Sequence, residues 1–391
     1  MQNSPNPSAV SAAPLEQLGQ ILSPFCDSDD WSQQPEWPML LAYAQEQGSE
    51  SMLHYRSQHS ELAQSLPPAQ QLKQAYRQEA ARALRHQFVL KKILEQFHQV
   101  GIVPLLLKGA ATYCDHLYES PALRPMGDLD ILIEQDRLME ARQIVLAMGF
   151  IEERPFDEIL DGNIVDQRHH QLPACFHPQW QVEIELHFAV SYGQSGRILP
   201  VEMAWQESIE ITFEGFPAKI LNPKARALHN IVHACKKEYL IGSVYLLQLL
   251  ELSYLVHRYA DDIDWDWITE RCRSQNFVTP LVVYCALARR LFDTPIPSFH
   301  QVCSPCVKLH HQRLWYGLEL SIERPTTLTS VLKQLLIALY YRYALFGWSW
   351  HNVCYAPPGI KYWPTRIGCV LKRLGKGLKA LKDPHYDPRH D

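Results

Sequence analysis

Two aspartates in the stretch GDLDILIE, residues 127–134, are the first candidates for chemistry. The stretch is otherwise apolar and predicts a buried strand. Successive side chains of a strand point to opposite faces, so Asp128 and Asp130 project from the same face. Two carboxylates that close raise each other's pKa unless a cation lies between them. The spacing indicates a cation site on this face.

A second strand, VEIELHF at residues 182–188, carries Glu183, Glu185 and His187 on one face and apolar residues on the other. Alone, this alternation is typical of any half-exposed strand. If the two strands are neighbours in one sheet, three or four carboxylates gather on one face. Oxygen ligands favour hard ions such as Mg²⁺, and carboxylates with substrate phosphates form the ligand set of two-metal phosphoryl or nucleotidyl transfer.

The stretch LLLKGAA predicts a phosphate-binding turn. A strand ends at Lys108–Gly109 and a helix begins at about Ala110. Backbone N–H groups at a helix start, next to a glycine that permits close approach, bind anions. Lys108 adds a positive charge for the β- or γ-phosphate. A Lys-Gly pair alone is a weak signal, because it occurs by chance in many proteins.

The elements that position these residues alternate between strand and helix. An apolar strand at GIVPLLLKG is followed by a helix over 110–118, the aspartate strand, a helix over 136–148 and strands at 150–154 and 180–190. This order predicts an α+β fold with an α/β-type core on a small mixed sheet.

These motifs, in this order, resemble the nucleotidyltransferase fold of the DNA polymerase β superfamily. More closely, LLKGAATYCDHLYESPALRPMGDLDILIE resembles an uncharacterised bacterial nucleotidyltransferase family. That family has a lysine–glycine turn, then an arginine, an Asp-hydrophobic-Asp strand and an acid-hydrophobic-His strand. The matching elements here are Lys108–Gly109, Arg124, Asp128–Leu129–Asp130 and Glu185–Leu186–His187. The match covers about residues 100–190, and a weaker one continues to His233 and Glu251.

The resemblance implies a Mg²⁺-dependent nucleotidyltransferase, with Mn²⁺ as an alternative ion. Asp128 and Asp130 would bind both ions, and Glu185 would complete the site of the catalytic one. Glu185 or His187 would help to deprotonate an acceptor hydroxyl, which attacks the α-phosphate of a nucleoside triphosphate and releases pyrophosphate.

The remaining positions of the resemblance concern the nucleotide. Lys108, Gly109, Ala110 and Arg124 would hold the triphosphate. Lys236 or Lys237, in the helical region that follows, would close over the nucleotide.

Two departures from the superfamily pattern leave an alternative open. The turn is Gly109–Ala110, without the hydroxyl of a Gly-Ser turn, and the third acid is Glu185 instead of aspartate. Glu183, two residues away, is a rival for that third position. The alternative function is a catalytically inactive nucleotide-binding or interaction protein on the same fold.

The 391 residues suit two or three domains. We predict a disordered tail over 1–14, a helical region over 15–99, a catalytic domain over 100–221 and a helical domain over 222–391. Within the first helical region, one long helix is predicted from residue 70 to 100. Its apolar stripe comprises Ala75, Ala81, Leu84, Phe88, Val89, Ile93 and Phe97.

The C-terminal stretch over 361–382 holds seven Lys/Arg and no acid, with leucines at helical spacing. A helix that docks its apolar side on the domain is favoured, with contact to RNA or an anionic membrane surface as the alternative. Zinc binding by Cys303 and Cys306 with His310 and His311 is not favoured over incidental thiols.

The formal net charge of −5 provides no overall field that attracts nucleic acid. Ten scattered cysteines, with no signal peptide and no membrane-spanning run, predict a reduced, cytoplasmic protein. The acceptor is left open between a small molecule such as a sugar, a protein side chain and an RNA 3′ end.

Overall fold

The computed structural model describes residues 14–26, 37–58, 69–153, 170–191, 195–241, 244–275 and 277–297, together with residues 311, 312, 314, 315 and 318. The side chains of residues 69 and 236–241 are not among those described. Residues 1–13 of the predicted tail over 1–14, the stretch over 361–382 and the pair Cys303 and Cys306 lie outside the described residues, and Pro14 is the first residue of a helix.

A seven-stranded mixed sheet forms the centre of the fold, in the order β3-β4-β5-β2-β1-β7-β6. Two pairs, β2 with β5 and β1 with β7, are parallel, and the other four are antiparallel. This confirms the predicted α+β class with a mixed sheet. The strands are β1 Leu105–Leu106, β2 Asp128–Leu132, β3 Ile151–Glu152, β4 Cys175–His177, β5 Val182–His187, β6 Ser208–Phe213 and β7 Phe216–Leu221.

Twelve α-helices of the described residues surround the sheet. They are α1 Pro14–Leu22, α2 Trp37–Gln47, α3 Glu50–Gln58, α4 Ala69–Gln99, α5 Lys108–Asp115, α6 Leu138–Ala147, α7 Ser195–Ile198, α8 Val201–Gln206, α9 Pro223–Ile241, α10 Leu246–Tyr259, α11 Trp265–Ser274 and α12 Val278–Phe292. Within this described part, no helix combines the length and apolar character needed to cross a bilayer.

The hairpin of β6 and β7 was not predicted from the sequence. Its two-residue turn consists of Glu214 and Gly215, which both have positive φ angles of 51° and 91°. Such turns match the twist of antiparallel strands. The glutamate at the first turn position, where asparagine or glycine is usual, hides the signal in the sequence.

Helix α4 confirms the predicted long helix, but its predicted apolar stripe is partly wrong. Leu84 and Phe88 are 64% and 47% exposed. The buried residues of α4 are Leu72, Ala83, His86, Val89, Leu90, Ile93, Leu94 and Phe97. Apolar residues lie on two adjacent rows of this helix, and only the packing against the sheet decides which row is buried. Phe88 instead contacts Trp180 edge-on, with ring centroids 5.7 Å apart.

The two faces of the sheet pack against different helices. Leu106, Leu129, Ile131, Ile184 and Leu186 belong to the core that includes α4, α5 and α6. The alternate positions Leu105, Leu107, Leu132 and Leu221 belong to a second core, built from α1–α3 and α9–α12. By strand alternation, Asp128 and Asp130 lie on this second face. The N-terminal and C-terminal helices thus share one core, and the domain boundaries at 99 and 221 stay predictions.

Candidate active site

The strands β2 and β5 bring the two acidic motifs together. They pair in parallel with Asp128 opposite Glu183, Asp130 opposite Glu185 and Leu132 opposite His187. Apolar residues at alternate positions bury the other face of both strands, which fixes this register because a slip of one residue would bury the carboxylates instead. The expectation that the two strands are neighbours is confirmed.

The acidic side chains form two overlapping sets. Ligand atoms of Asp128, Glu183 and Glu185 all lie within 4.8 Å of one another, and so do those of Asp130, Glu185 and His187. Glu185 belongs to both sets. The rival candidates Glu185 and Glu183 therefore lie in the same cluster, with Glu185 at its centre.

The inner set is a buried network of charged groups around Asp130, which is only 1% exposed. Its Oδ1 accepts a hydrogen bond from Lys108 Nζ and lies 2.9 Å from His187 Nε2. The same imidazole nitrogen lies 3.3 Å from Glu185 Oε2. Two carboxylates thus face two basic groups, with Asp130 and His187 fully buried and Lys108 and Glu185 at the partly exposed rim of the site.

The pKa values of this network reflect burial opposed by ion pairing. Burial raises the pKa of Asp130, but Lys108 and His187 outweigh it and hold that pKa well below its usual range. Burial lowers the pKa of His187, whereas its hydrogen bonds with Asp130 and Glu185 raise it above the ordinary value. Burial also lowers the pKa of Lys108, but the charges of Asp130 and Asp128 outweigh it and raise that pKa. The groups of the network therefore stabilise one another's charged forms against the cost of burial.

The outer set, which consists of Asp128, Glu183 and Glu185, is rich in negative charge. Burial raises the pKa of Glu183, and the charges of Asp128, Glu185 and Glu153 raise it further. A divalent cation would relieve this repulsion, and three carboxylates within 4.8 Å offer the oxygen ligands that Mg²⁺ prefers. The residues fit a hard cation.

The turn between β1 and α5 differs slightly from the prediction. The helix begins at Lys108, two residues earlier than expected, because β1 ends at Leu106 and Leu107 forms the extended N-cap. Lys108 has a φ of 45°, in the left-handed region, which costs a non-glycine residue about 1–2 kcal/mol. The Leu107 N–H donates to the Asp130 carbonyl at 3.0 Å, so the turn is anchored on β2.

The turn residues have specific packing roles. Lys108 Nζ is directed to Asp130. A Cβ at Gly109 would overlap Met126 Sδ, so any larger residue here would force the Met126 side chain to move. Ala110 is fully buried in the core on the α4 side of the sheet, so it can offer only its backbone to a ligand.

Arg124 makes a long-range ion pair with the helical region. Its Nε lies 2.7 Å from Glu251 Oε2 on α10, and its Nη1 donates to the Pro125 carbonyl. Burial lowers the pKa of Arg124, but Glu251 and Tyr118 outweigh this and raise it. The structure thus joins two positions of the family resemblance, Arg124 and Glu251, that are 127 residues apart. The side chains of Lys236 and Lys237 lie outside the described residues.

A polar cleft lies beside this turn, between the ends of β1 and β7 and helices α9 and α10. Lys108 and Arg124 line it from the sheet side. From the helices come Arg226, His229, Asn230, His233, Gln248 and Glu251.

Four of these polar cleft residues were not predicted from the sequence: Arg226, His229, Asn230 and Gln248. The signal was present in α9, where residues 226, 229, 230 and 233 follow the i, i+3, i+4, i+7 spacing of one helix face. That face is polar although the helix is largely buried. A polar stripe on a buried helix indicates a lined cavity or a hydrogen-bonded contact.

Comparison with known proteins gives one finding. The model of a family described as uncharacterised nucleotidyltransferase matches residues 33–293. No curated protein and no solved structure gives a match. The family match spans about two thirds of the chain and includes both acidic strands, the β1–α5 turn and the polar cleft. The chain belongs to this family of nucleotidyltransferases.

Proposed function

We propose that this protein transfers a nucleoside monophosphate from a nucleoside triphosphate to an acceptor hydroxyl and releases pyrophosphate. The observation that carries the proposal is the register of β2 and β5, which gathers Asp128, Asp130, Glu183 and Glu185 on one face. The family match supports the reaction class.

The metal ligands in this proposal are Asp128, Glu185 and Asp130, with Glu183 as a further carboxylate of the outer set. Mg²⁺, or Mn²⁺, bound there would polarise the α-phosphate and lower the pKa of the acceptor hydroxyl. Asp130 is held ionised by Lys108 and His187, so it is ready to bind a cation without losing a proton.

The proton of the acceptor hydroxyl goes to a carboxylate. His187 is fully buried, and its Nε2 is engaged by Asp130 and Glu185, so we assign it to orienting those two groups. Glu183 and Glu185 are partly exposed, so their carboxylates are accessible to an acceptor hydroxyl and are the proposed general bases. The deprotonated oxygen attacks the α-phosphorus, and the bond to the bridging oxygen of pyrophosphate breaks.

The triphosphate is held at the β1–α5 turn in this proposal. Lys108 supplies a positive charge, and the backbone at Gly109 and Ala110 supplies N–H groups at the start of α5. Arg124 and Lys236 are proposed as further contacts, and the pairing of Arg124 with Glu251 makes its contribution dependent on the position of α10.

One observation favours the alternative of a nucleotide-binding protein that does not catalyse. Lys108 pairs directly with Asp130, which is one of the proposed metal ligands. In a catalytic protein the metal must compete with this ion pair. In an inactive one, the pair would replace the metal.

The test is nucleotide transfer from each of four α-³²P-labelled NTPs with Mg²⁺. The acceptors offered are hydroxyl-bearing small molecules, the protein itself and an RNA oligonucleotide. We expect label transfer with pyrophosphate release by the wild type and by Glu134→Gln, an exposed control just after β2. Asp128→Asn should abolish both. Equal label transfer by wild type and Asp128→Asn would refute the proposal.

A further inference from the structure

Arg226, on α9, has an unusual set of partners. Its side chain is 6% exposed, and its Nη1 donates to Asp115 Oδ2. That oxygen also accepts a hydrogen bond from the Tyr259 hydroxyl at 2.7 Å. The Nε and Nη2 atoms of Arg226 are buried and have no hydrogen-bond partner among the described residues. Asp115, itself held by Tyr259, therefore binds the Nη1 end of the guanidinium. The edge formed by Nε and Nη2 has no partner among the described residues.

The unpaired edge has the geometry of a bidentate anion site. Nε–H and Nη2–H of arginine lie side by side and point in the same direction, at the spacing of two oxygens of a carboxylate or phosphate. Buried donors of a charged group are rarely left without an acceptor, because their desolvation is then uncompensated. The edge thus indicates a ligand with paired oxygens.

The surroundings of Arg226 are also polar and incompletely satisfied. Gln248 Nε2 lies 3.1 Å from His233 Nδ1. Gln248 Oε1 is buried without a hydrogen-bond partner in the part of the chain that the structure describes. Both Gln248 and Arg226 line the cleft. An acceptor and two donors in one cleft suit an anionic group that also carries a hydroxyl or a proton.

The cleft is connected to the proposed catalytic centre through Lys108. This lysine lines the cleft, and its Nζ binds Asp130 of the acid cluster. A ligand in the cleft would therefore lie next to the metal-binding carboxylates.

We propose that the cleft binds an oxyanion group of a substrate, a phosphate or a carboxylate, held side-on by Nε and Nη2 of Arg226. This deepens the proposed function, on which the assignment of the ligand as a substrate rests. The oxyanion belongs either to the phosphate tail of the nucleotide or to an acidic acceptor. Arg226 is a binding residue in both cases.

The test is calorimetric titration of the full chain with inorganic phosphate, acetate and the four NTPs, in EDTA. Because metal is absent, the result does not depend on catalysis. Arg226→Lys keeps the charge and the pairing with Asp115 but removes the paired N–H edge. The matched control is Arg271→Lys on α11, where the arginine donates to the backbone carbonyls of Arg197 and Ile198.

We expect Arg226→Lys to weaken phosphate binding by about tenfold or more, and Arg271→Lys to change it by less than about twofold. A parallel loss of NTP affinity assigns the site to the nucleotide. Retained NTP affinity, with loss of phosphate or acetate binding, assigns it to an acidic acceptor. Equal affinities of wild type and Arg226→Lys for every probe, or no binding by the wild type, would overturn the proposal.

A second measurement covers the case in which Arg226→Lys does not fold. A crystal structure of the wild type grown with phosphate should show the anion within hydrogen-bond distance of Arg226 Nε and Nη2. Water alone at this edge would overturn the proposal. If the oxyanion binds but no nucleotide is transferred, the inference holds and the proposed function fails.

Discussion

The acidic strand pair and the polar cleft are adjacent regions with opposite chemistry. On β2 and β5, carboxylates gather within 4.8 Å of one another. In the cleft, Arg226 presents buried Nε and Nη2 donors that have no acceptor among the residues the structure describes. Lys108 belongs to both regions, since it lines the cleft and binds Asp130. The difference indicates a division of labour, in which one region attracts cations and the other attracts the oxyanions of a substrate.

The largest expected effect is the loss of activity when a carboxylate is removed from the acidic strand pair. Asp128→Asn removes one carboxylate of the outer set, and we expect nucleotidyl transfer to fall on the order of 10³-fold or more, because charge stabilisation at the reacting phosphate is lost. Because Asp128 is partly exposed, the melting temperature of the Asp128→Asn variant should stay close to that of the wild type. Steady-state rates and thermal denaturation measure both quantities. A rate within about tenfold of the wild type would contradict the assignment.

The ion pair between Arg124 and Glu251 connects the sheet side of the cleft to α10, and removing it should reduce the stability of the protein. Glu251→Gln leaves the largely buried Arg124, whose side chain is 18% exposed, without its carboxylate partner, and we expect a loss of about 3 kcal/mol in the free energy of unfolding. Urea denaturation measures it. The matched control is Glu270→Gln, because Glu270 pairs with Arg273 at the surface, where both side chains are more than half exposed. That variant should lose less than about 1 kcal/mol. Equal losses would show that the buried pair has no special role.

Two buried histidines, His86 and His187, contribute to stability in opposite pH ranges because their charged neighbours differ. Burial, and then the charges of Arg82 and Arg85, lower the pKa of His86 to about 4. His86 therefore stays neutral in the folded state, and its contribution to stability is complete above pH 6.5 and is lost as the pH falls towards 4. His187, whose pKa is raised, contributes below pH 6.5 and loses that contribution as the pH rises through its folded pKa.

His86→Leu tests the first of these statements. The wild type should lose on the order of 2–3 kcal/mol more stability than the variant between pH 6.5 and pH 4. Urea denaturation at a series of pH values measures the difference. Parallel stability curves for the two proteins would contradict the lowered pKa.

The smallest expected effect separates the two glutamates of β5. Glu185 belongs to both ligand sets and Glu183 to one. We therefore expect Glu185→Gln to weaken the apparent Mg²⁺ affinity about tenfold more than Glu183→Gln does. The Mg²⁺ concentration at half-maximal rate is the measurement. The reverse order would make Glu183 the principal third carboxylate.

The acidic face was predictable because its chemistry follows strand alternation. Asp128, Asp130 and Glu185 are each identified by a period of two, and their meeting needs only that two strands be neighbours. The mixed sheet and the long helix α4 also follow from local patterns. The buried row of α4 did not, because two adjacent rows of that helix are apolar and tertiary packing chooses between them.

The polar cleft was not predictable in the same way. Asp115, Arg226, Gln248 and Tyr259 come from three separate helices, α5, α9 and α10, and none of them belongs to a short motif. The partner of Arg124 required the same knowledge, since Glu251 is 127 residues away. The direction of Lys108 towards Asp130 is also a tertiary feature. Only the polar stripe of α9 was visible in the sequence, and it does not specify what the stripe faces.

The most direct test of the central claim is Mn²⁺ binding, followed by electron paramagnetic resonance with a non-hydrolysable NTP analogue present. Mn²⁺ reports on the carboxylate face without knowledge of the acceptor. We predict two bound ions in the wild type and in the Glu134→Gln control, and loss of both in Asp128→Asn/Glu185→Gln. The same number of bound ions in the double variant and the wild type, or no bound ion in the wild type, would contradict a metal-dependent nucleotidyltransferase site on β2 and β5.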